Sequence, residues 1–166
     1  MSAKIRMLFV LMLTVLFLSG GTKKTSFTEG SHPGDYAPEI KITGSSRTIR
    51  FANPSGRYTL VNFWATYDAA SRVRNIQLYE KVNRMDSACI RMYSISMDEN
   101  YSVYTGTLDI DNLRGASQLH EVKGVRSLLY RQYNLKKGFR NFLVDDHGVI
   151  VATGVHSEDL DALQKL

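Results

Sequence analysis

Residues 58–71 read YTLVNFWATYDAAS, and two different backbone patterns meet inside them. Tyr58 to Trp64 is a strongly apolar, aromatic and β-branched run, the composition of a strand covered on both faces. From Asp68 to Met85 the spacing becomes helical, with Val73, Ile76, Leu78, Tyr79 and Val82 as apolar positions. Asp68 stands where a cap is needed, because its carboxylate can accept N–H groups that the first helical turn leaves unpaired. A buried strand that runs into a capped helix is half of a β-α-β unit.

Working outward, the apolar stretch Ala88 to Ile95 reads as a central strand that closes the unit, with parallel strands and a right-handed crossover expected. Thr48 to Phe51 reads as an early strand, and Asn53-Pro54-Ser55-Gly56 as a turn. The loop from Ser96 to Asn100 and the stretch that follows to about Gln118 carry no pattern that assigns them. Val125 to Tyr133 reads as a short helix carrying Leu128, Leu129 and Tyr130. Asn141 to Asp145 and Val149 to Thr153 are strands around the turn Asp145-Asp146-His147-Gly148, hence a hairpin. Ser157 is the expected cap of a last helix that turns Leu160, Leu163 and Leu166 inward.

The 166 residues fit one domain once a targeting segment is set aside, and 43% hydrophobic with 22% charged residues describes a folded globular chain. The expected division is a signal peptide or membrane anchor over residues 1–21, a flexible polar tether over 22–35 and a folded domain over 36–166. Lys4 and Arg6 precede an apolar run from Met7 to Leu18 that ends in small residues, which is the layout of an export signal. The run is shorter than the ~20 residues that span a bilayer comfortably. Its end, Leu18-Ser19-Gly20-Gly21, resembles a lipoprotein signal in which Gly21 replaces the lipid-bearing cysteine, which leaves open cleavage near Gly20 or Gly21, retention as an uncleaved anchor, or an altered form of a lipoprotein.

The formal charge of +5 falls to +3 without Lys4 and Arg6, and the basic residues are scattered, which excludes a nucleic-acid-binding stripe. Lys136, Lys137 and Arg140 read as a solvated loop. Cys89 is the only cysteine, so no intramolecular disulfide forms, and its apolar surroundings read as a buried position rather than a reactive thiol. His32, His120, His147 and His156 fall in a tether, a loop or helix start, a turn and a helix approach, without metal-ligand spacing. No cofactor or metal is expected.

Several motifs together carry a resemblance. Val61-Asn62-Phe63-Trp64-Ala65-Thr66 closely resembles the strand leading to the active site in periplasmic thioredoxin-like proteins of the TlpA/ResA type, members of the redoxin family. Gly34 to Ile40 resembles that family's opening motif, Ser94 to Asp98 its second core strand, and Phe142 to Ala152 its hairpin. The resemblance implies an α/β thioredoxin fold, a central mixed β-sheet flanked by helices, over about residues 34–166. It also implies export to the periplasm or membrane-associated envelope of a Gram-negative bacterium.

The family's two cysteines, separated by two residues, fall on Asp68 and Ser71, and its cis-proline position falls on Phe139. Disulfide exchange needs a thiolate held by the helix N-terminus and a second thiol to resolve the mixed disulfide, and neither sulfur is present. A site converted from catalysis to capping is therefore expected, with no catalytic residue and a trans peptide before Phe139. The fold would bring Trp64, Tyr67, Asp68, Phe139 and Arg140 to one face, residue types enriched where proteins recognise partners. The leading reading is a non-catalytic binder of an envelope protein or peptide. Its alternatives are simple packing of Trp64 against Phe139, an oxidoreductase using Cys89 with an external thiol, and a carboxylate hydrolase built on Asp68.

Overall fold

The computed structural model describes residues 28–52, 56–115 and 117–165. The expected signal segment, most of the Asn53–Gly56 turn and Leu166 lie outside the described residues. A small antiparallel pair, β1 (Ile40–Lys41) and β2 (Thr48–Ile49), precedes the main sheet. The main sheet contains β3 (Tyr58–Trp64), β4 (Ile90–Ser96), β5 (Gln118–His120), β6 (Asn141–Val144) and β7 (Ile150–Thr153) in the order β5-β4-β3-β6-β7. β3 pairs parallel with β4 and antiparallel with β6, which makes the sheet mixed as the resemblance implies. Helices α1 (Ala69–Asn83), α2 (Tyr101–Ile110) and α3 (Leu128–Gln132) connect the strands.

Side-chain alternation along β3 divides the core in two. Val61 and Phe63 face a cluster with Ile95, Tyr133, Phe142 and Ile150, while Leu60 faces Leu78, Met92, Leu143 and Leu160 beneath α1. In the first cluster Tyr133 is fully buried, its ring 4.8 Å from Phe63 and 4.9 Å from Phe142. Its hydroxyl donates to the Pro38 carbonyl at 2.5 Å, which joins α3 to the segment leading into β1.

Beneath α1 the sheet carries a polar row that an apolar reading of β3 passes over. Gln118, Ser94, Asn62 and Asn141 lie side by side in register across β5, β4, β3 and β6. Asn75 of α1 reaches this row: its Oδ1 accepts from Asn62 Nδ2 at 2.8 Å and from Ser94 Oγ at 2.6 Å. Asn141 makes both of its bonds with the Val155 backbone, at 2.8 and 2.7 Å. Buried polar groups persist when paired, and these pairs fix where α1 sits on the sheet.

Several expectations change. The inward positions of α1 are Ser71, Asn75 and Leu78, while Val73 is 53% exposed, because the polar row selects a different helix face. The unassigned stretch contains α2, capped by the Asn100 side chain on the N–H groups of Ser102 and Val103, and then β5. His120 is a strand residue rather than part of a loop or helix start. The expected helix at 125–133 divides into a 3-10 turn over Gly124–Arg126 and α3, with Ser127 capping α3 through Tyr130 N–H. The last helix is a 3-10 helix, Glu158–Lys165, and its first turn is fastened by the Asp159 carboxylate on His156 N–H rather than by Ser157. The early strand shortens to Thr48–Ile49.

Residues 28–36 form a turn in which His32 N–H donates to Asp35, and Gly34 N–H and Asp35 carbonyl bond to Ile150 on β7. Part of the stretch expected as a tether is thus bonded to the sheet. Cys89 precedes β4 in a turn closed by its N–H on the Asp86 carbonyl, and it is half-buried, not sealed inside a strand.

Replacing Asn75 by Ala leaves Asn62 Nδ2 and Ser94 Oγ without a partner in the core. The expected loss is ~2–3 kcal/mol, read as a lower urea midpoint at unchanged slope.

Candidate functional site at the sheet end

At the C-terminal ends of the parallel strands, one carboxylate organises the loops. Asp98 is 3% exposed. Its oxygens accept from Thr66 N–H at 3.1 Å, Thr66 hydroxyl at 2.6 Å and Ser96 hydroxyl at 2.6 Å. Its carbonyl lies 2.6 Å from His120 Nε2, which must carry the proton because a carbonyl can only accept. His120 in turn stacks on Tyr104 of α2, with centroids 4.8 Å apart and 11° between planes. The ends of β3, β4 and β5 and the face of α2 are thereby tied together.

That clamp sets the direction of the chain through Tyr67 and Asp68. Asp68 is extended (φ −105°, ψ 94°) and its Oδ1 accepts Ser71 N–H at 2.8 Å, so it caps α1 as expected. Ser71 is 1% exposed. Its hydroxyl donates to the Asp68 carbonyl at 3.0 Å and accepts Ala65 N–H at 3.3 Å. The two positions expected to match the family's cysteines are thus joined to each other and to the backbone, and the helix end is filled by a carboxylate acting as a cap.

Phe139 follows Gly138, whose φ of +114° lies where side chains are strained, and no described peptide bond is cis. The Phe139 ring stands edge-on to Tyr67 at 6.1 Å and to Tyr130 at 6.5 Å. Its carbonyl accepts from Arg74 Nη2 at 2.7 Å, and the Arg140 carbonyl accepts Phe63 N–H at 3.1 Å. Burial holds the Arg74 guanidinium below its ordinary pKa, with the Asp68 charge acting the other way. Burial raises the Tyr67 hydroxyl, and the Asp98 charge adds to it. Tyr67 nevertheless exposes 66% of its surface. It borders a cavity of about 410 Å³ lined by Met97, Val103 and Val125 with Asp98, Glu99 and Asn100. On the other side of the α1 terminus, Ala69, Ala70, Val73 and Arg74 line a shallow depression with Gln77 and His156.

Of the residues expected to share this face, Tyr67, Asp68 and Phe139 stand together, Arg140 follows Phe139 with its carbonyl bonded to β3, and Trp64 does not share it. Trp64 is fully buried, its ring 6.4 Å from Tyr104 on the α2 side. The expected Trp64–Phe139 contact is replaced by two separate ones, because Trp64 points beneath α2 while Phe139 packs on Tyr67. Arg74 and Tyr130 are the members that sequence reading missed. Arg74 is signalled only by its place six residues after Asp68, nearly two helical turns on, and Tyr130 by nothing short of the fold. Cys89 lies at the opposite end of the sheet: Tyr58 pairs with Ile90 at the start of the β3–β4 ladder and Trp64 with Ser96 at its end. Six residues of strand separate them, ~20 Å. Among the described residues Asp145, Asp146 and His147 cluster in the hairpin turn, remote from this face.

The fold is shared with solved proteins. A thioredoxin-like protein from Parabacteroides distasonis is 50% identical, superposes with a TM-score of 0.77, and matches 84% of this chain and 99% of its own. The chain belongs to the thioredoxin-like proteins. The C-terminal domain of a protein assigned as a thiol-disulfide oxidoreductase in Bacteroides thetaiotaomicron is 26% identical over 80% of this chain and 93% of that one, at a TM-score of 0.66. A thiol:disulfide interchange protein from a Bacteroides species, 24% identical over 84% of this chain and 90% of that one, shares the fold at a TM-score of 0.64. No protein-family model and no curated protein matches the chain. The thioredoxin-like architecture is therefore that of thiol-disulfide oxidoreductases, in a chain with a single cysteine.

Two substitutions separate capping from the clamp. Asp68→Ala is expected to cost ~1 kcal/mol, the value of one N-cap, whereas Asp98→Ala is expected to cost ~3 kcal/mol, because several buried donors lose a charged acceptor. Thermal unfolding of the two variants gives the comparison.

Proposed function

We propose that this thioredoxin-like protein recognises a protein or peptide segment on the face that catalyses disulfide exchange in its relatives, and that it performs no thiol chemistry there. The observation that carries the reading is the pairing of a closed helix terminus with an open aromatic rim. Asp68 and Ser71 satisfy each other and the backbone, while Tyr67 stays two-thirds exposed at the edge of a cavity. Exchange requires two sulfurs at one helix end. Recognition requires an aromatic anchor next to space for a partner side chain, and Tyr67 braced on Phe139 supplies one.

The proposal includes export to the cell envelope. It rests on Lys4, Arg6 and the apolar run Met7–Leu18, and it accords with relatives from Gram-negative bacteria that are named for disulfide chemistry. Cys89, placed ~20 Å from the rim, takes no part. The hydrolase alternative on Asp68 finds no support, since that carboxylate is engaged as a cap and no histidine stands beside it in a hydrogen bond.

Insulin reduction with dithiothreitol as the electron source tests the loss of chemistry. The natural chain and Cys89→Ser are expected to match the uncatalysed rate. Turnover by the natural chain that disappears in Cys89→Ser overturns the proposal.

A further inference from the structure

The charges around Tyr67 are distributed unevenly, and the imbalance has a chemical meaning. On one flank lie Arg74 and the loop after α3, a 3-10 turn over Leu135–Lys137 followed by Gly138, Phe139 and Arg140. The Arg74 guanidinium is bonded to the Phe139 carbonyl, which fastens Arg74 to the loop that carries Lys136, Lys137 and Arg140. Lys136 and Lys137 are exposed, and Arg74 and Arg140 are half-buried. None of the four has a carboxylate oxygen within ion-pair distance among the described residues, in contrast to Arg50, Arg72, Arg84 and Arg126, each of which does. The acid that acts on Arg74, Asp68, has one oxygen committed to Ser71 N–H. Arg74 Nε is buried and has no hydrogen-bond partner.

Across Tyr67 the opposite flank is apolar. Val103 and Val125 are 46% and 44% exposed beside the cavity, and the Glu99 carboxylate there is paired with Arg126 at 2.9 Å. Cations without a carboxylate partner on the Phe139 loop, joined through Tyr67 to an apolar cavity, complement a segment that carries an apolar side chain and carboxylates in sequence. Such a charge patch sets partner choice more than raw affinity, through attraction that extends about a Debye length.

We propose that the partner of this face is an acidic protein segment, with an apolar residue seated beside Tyr67, Val103 and Val125 and its Asp or Glu residues against the Arg74–Arg140 patch. This rests on the recognition reading above and adds the chemistry of the partner.

Selection of random phage-displayed peptides on the immobilised full chain, with peptides that also bind Tyr67→Ala discarded, tests it. The retained peptides are expected to be enriched in Asp and Glu, and to lose about tenfold in affinity on Lys136→Glu/Lys137→Glu, two exposed sites whose replacement leaves the core untouched. Tyr67-dependent peptides with no acidic bias leave recognition standing and overturn the acidic class. A selection that yields no Tyr67-dependent peptide overturns both. Phosphatidylglycerol vesicles form the second arm: binding that needs Lys136 and Lys137 but survives Tyr67→Ala assigns the patch to an anionic lipid surface and overturns the proposal.

Discussion

The rim of this protein depends on the Asp98 carboxylate. It is buried, and among the described residues no cation lies within ion-pair distance of it; its charge is carried by hydrogen bonds from Thr66 and Ser96. A carboxylate in that setting costs free energy unless each lone pair finds a donor, so the loops must converge on it. Thr66 is thereby fixed, Tyr67 is turned outward, and Asp68 arrives at the helix terminus in the extended conformation that a cap requires. Through its own carbonyl Asp98 also holds His120, which stacks on Tyr104 and seats α2 over Trp64.

What the helix end does follows from its occupant. An α-helix N-terminus offers unpaired N–H groups and the positive end of a dipole, and either a thiolate or a carboxylate can use them. A thiolate remains a nucleophile there; the Asp68 carboxylate spends its oxygen on Ser71 N–H. Ser71 is sealed inside and bonded to Ala65 and Asp68, so the second position is also structural. In this thioredoxin-like scaffold the residues at the helix end, Asp68 and Ser71, are part of the protein's own packing.

The parts of the fold legible in the sequence are those where local and long-range demands agree. Tyr58–Trp64, the Asp68 cap and the Asn141–Thr153 hairpin each have the right composition for the element they form, and each stands in the structure within a residue or two. α2 was not legible because Tyr101–Ile110 contains β-branched residues and Gly106, which favour helix weakly, and only Tyr104 and Thr107 face inward. Its single clear signal was Asn100, a cap with a side chain on two N–H groups. Of the residues that the resemblance groups, Tyr67 and Phe139 are in ring contact and Asp68 caps the adjoining helix. Trp64 could not be separated from them, since strand alternation states which face a residue takes but not that α2 will cover it. Arg74 escaped notice because its role is a bond to a backbone carbonyl 65 residues away. Cys89 looked buried because it adjoins an apolar strand, yet the strand begins one residue later.

The claim that the rim is a recognition surface is tested most directly in living cells. A photo-crosslinking amino acid placed at Tyr67, with the exposed Val151 on β7 as the control position, reports what touches each site. The account predicts a discrete crosslinked adduct at Tyr67 that is absent at Val151 and unchanged by Cys89→Ser. An equal adduct at both positions, or none at Tyr67 while the chain is folded and exported, contradicts it.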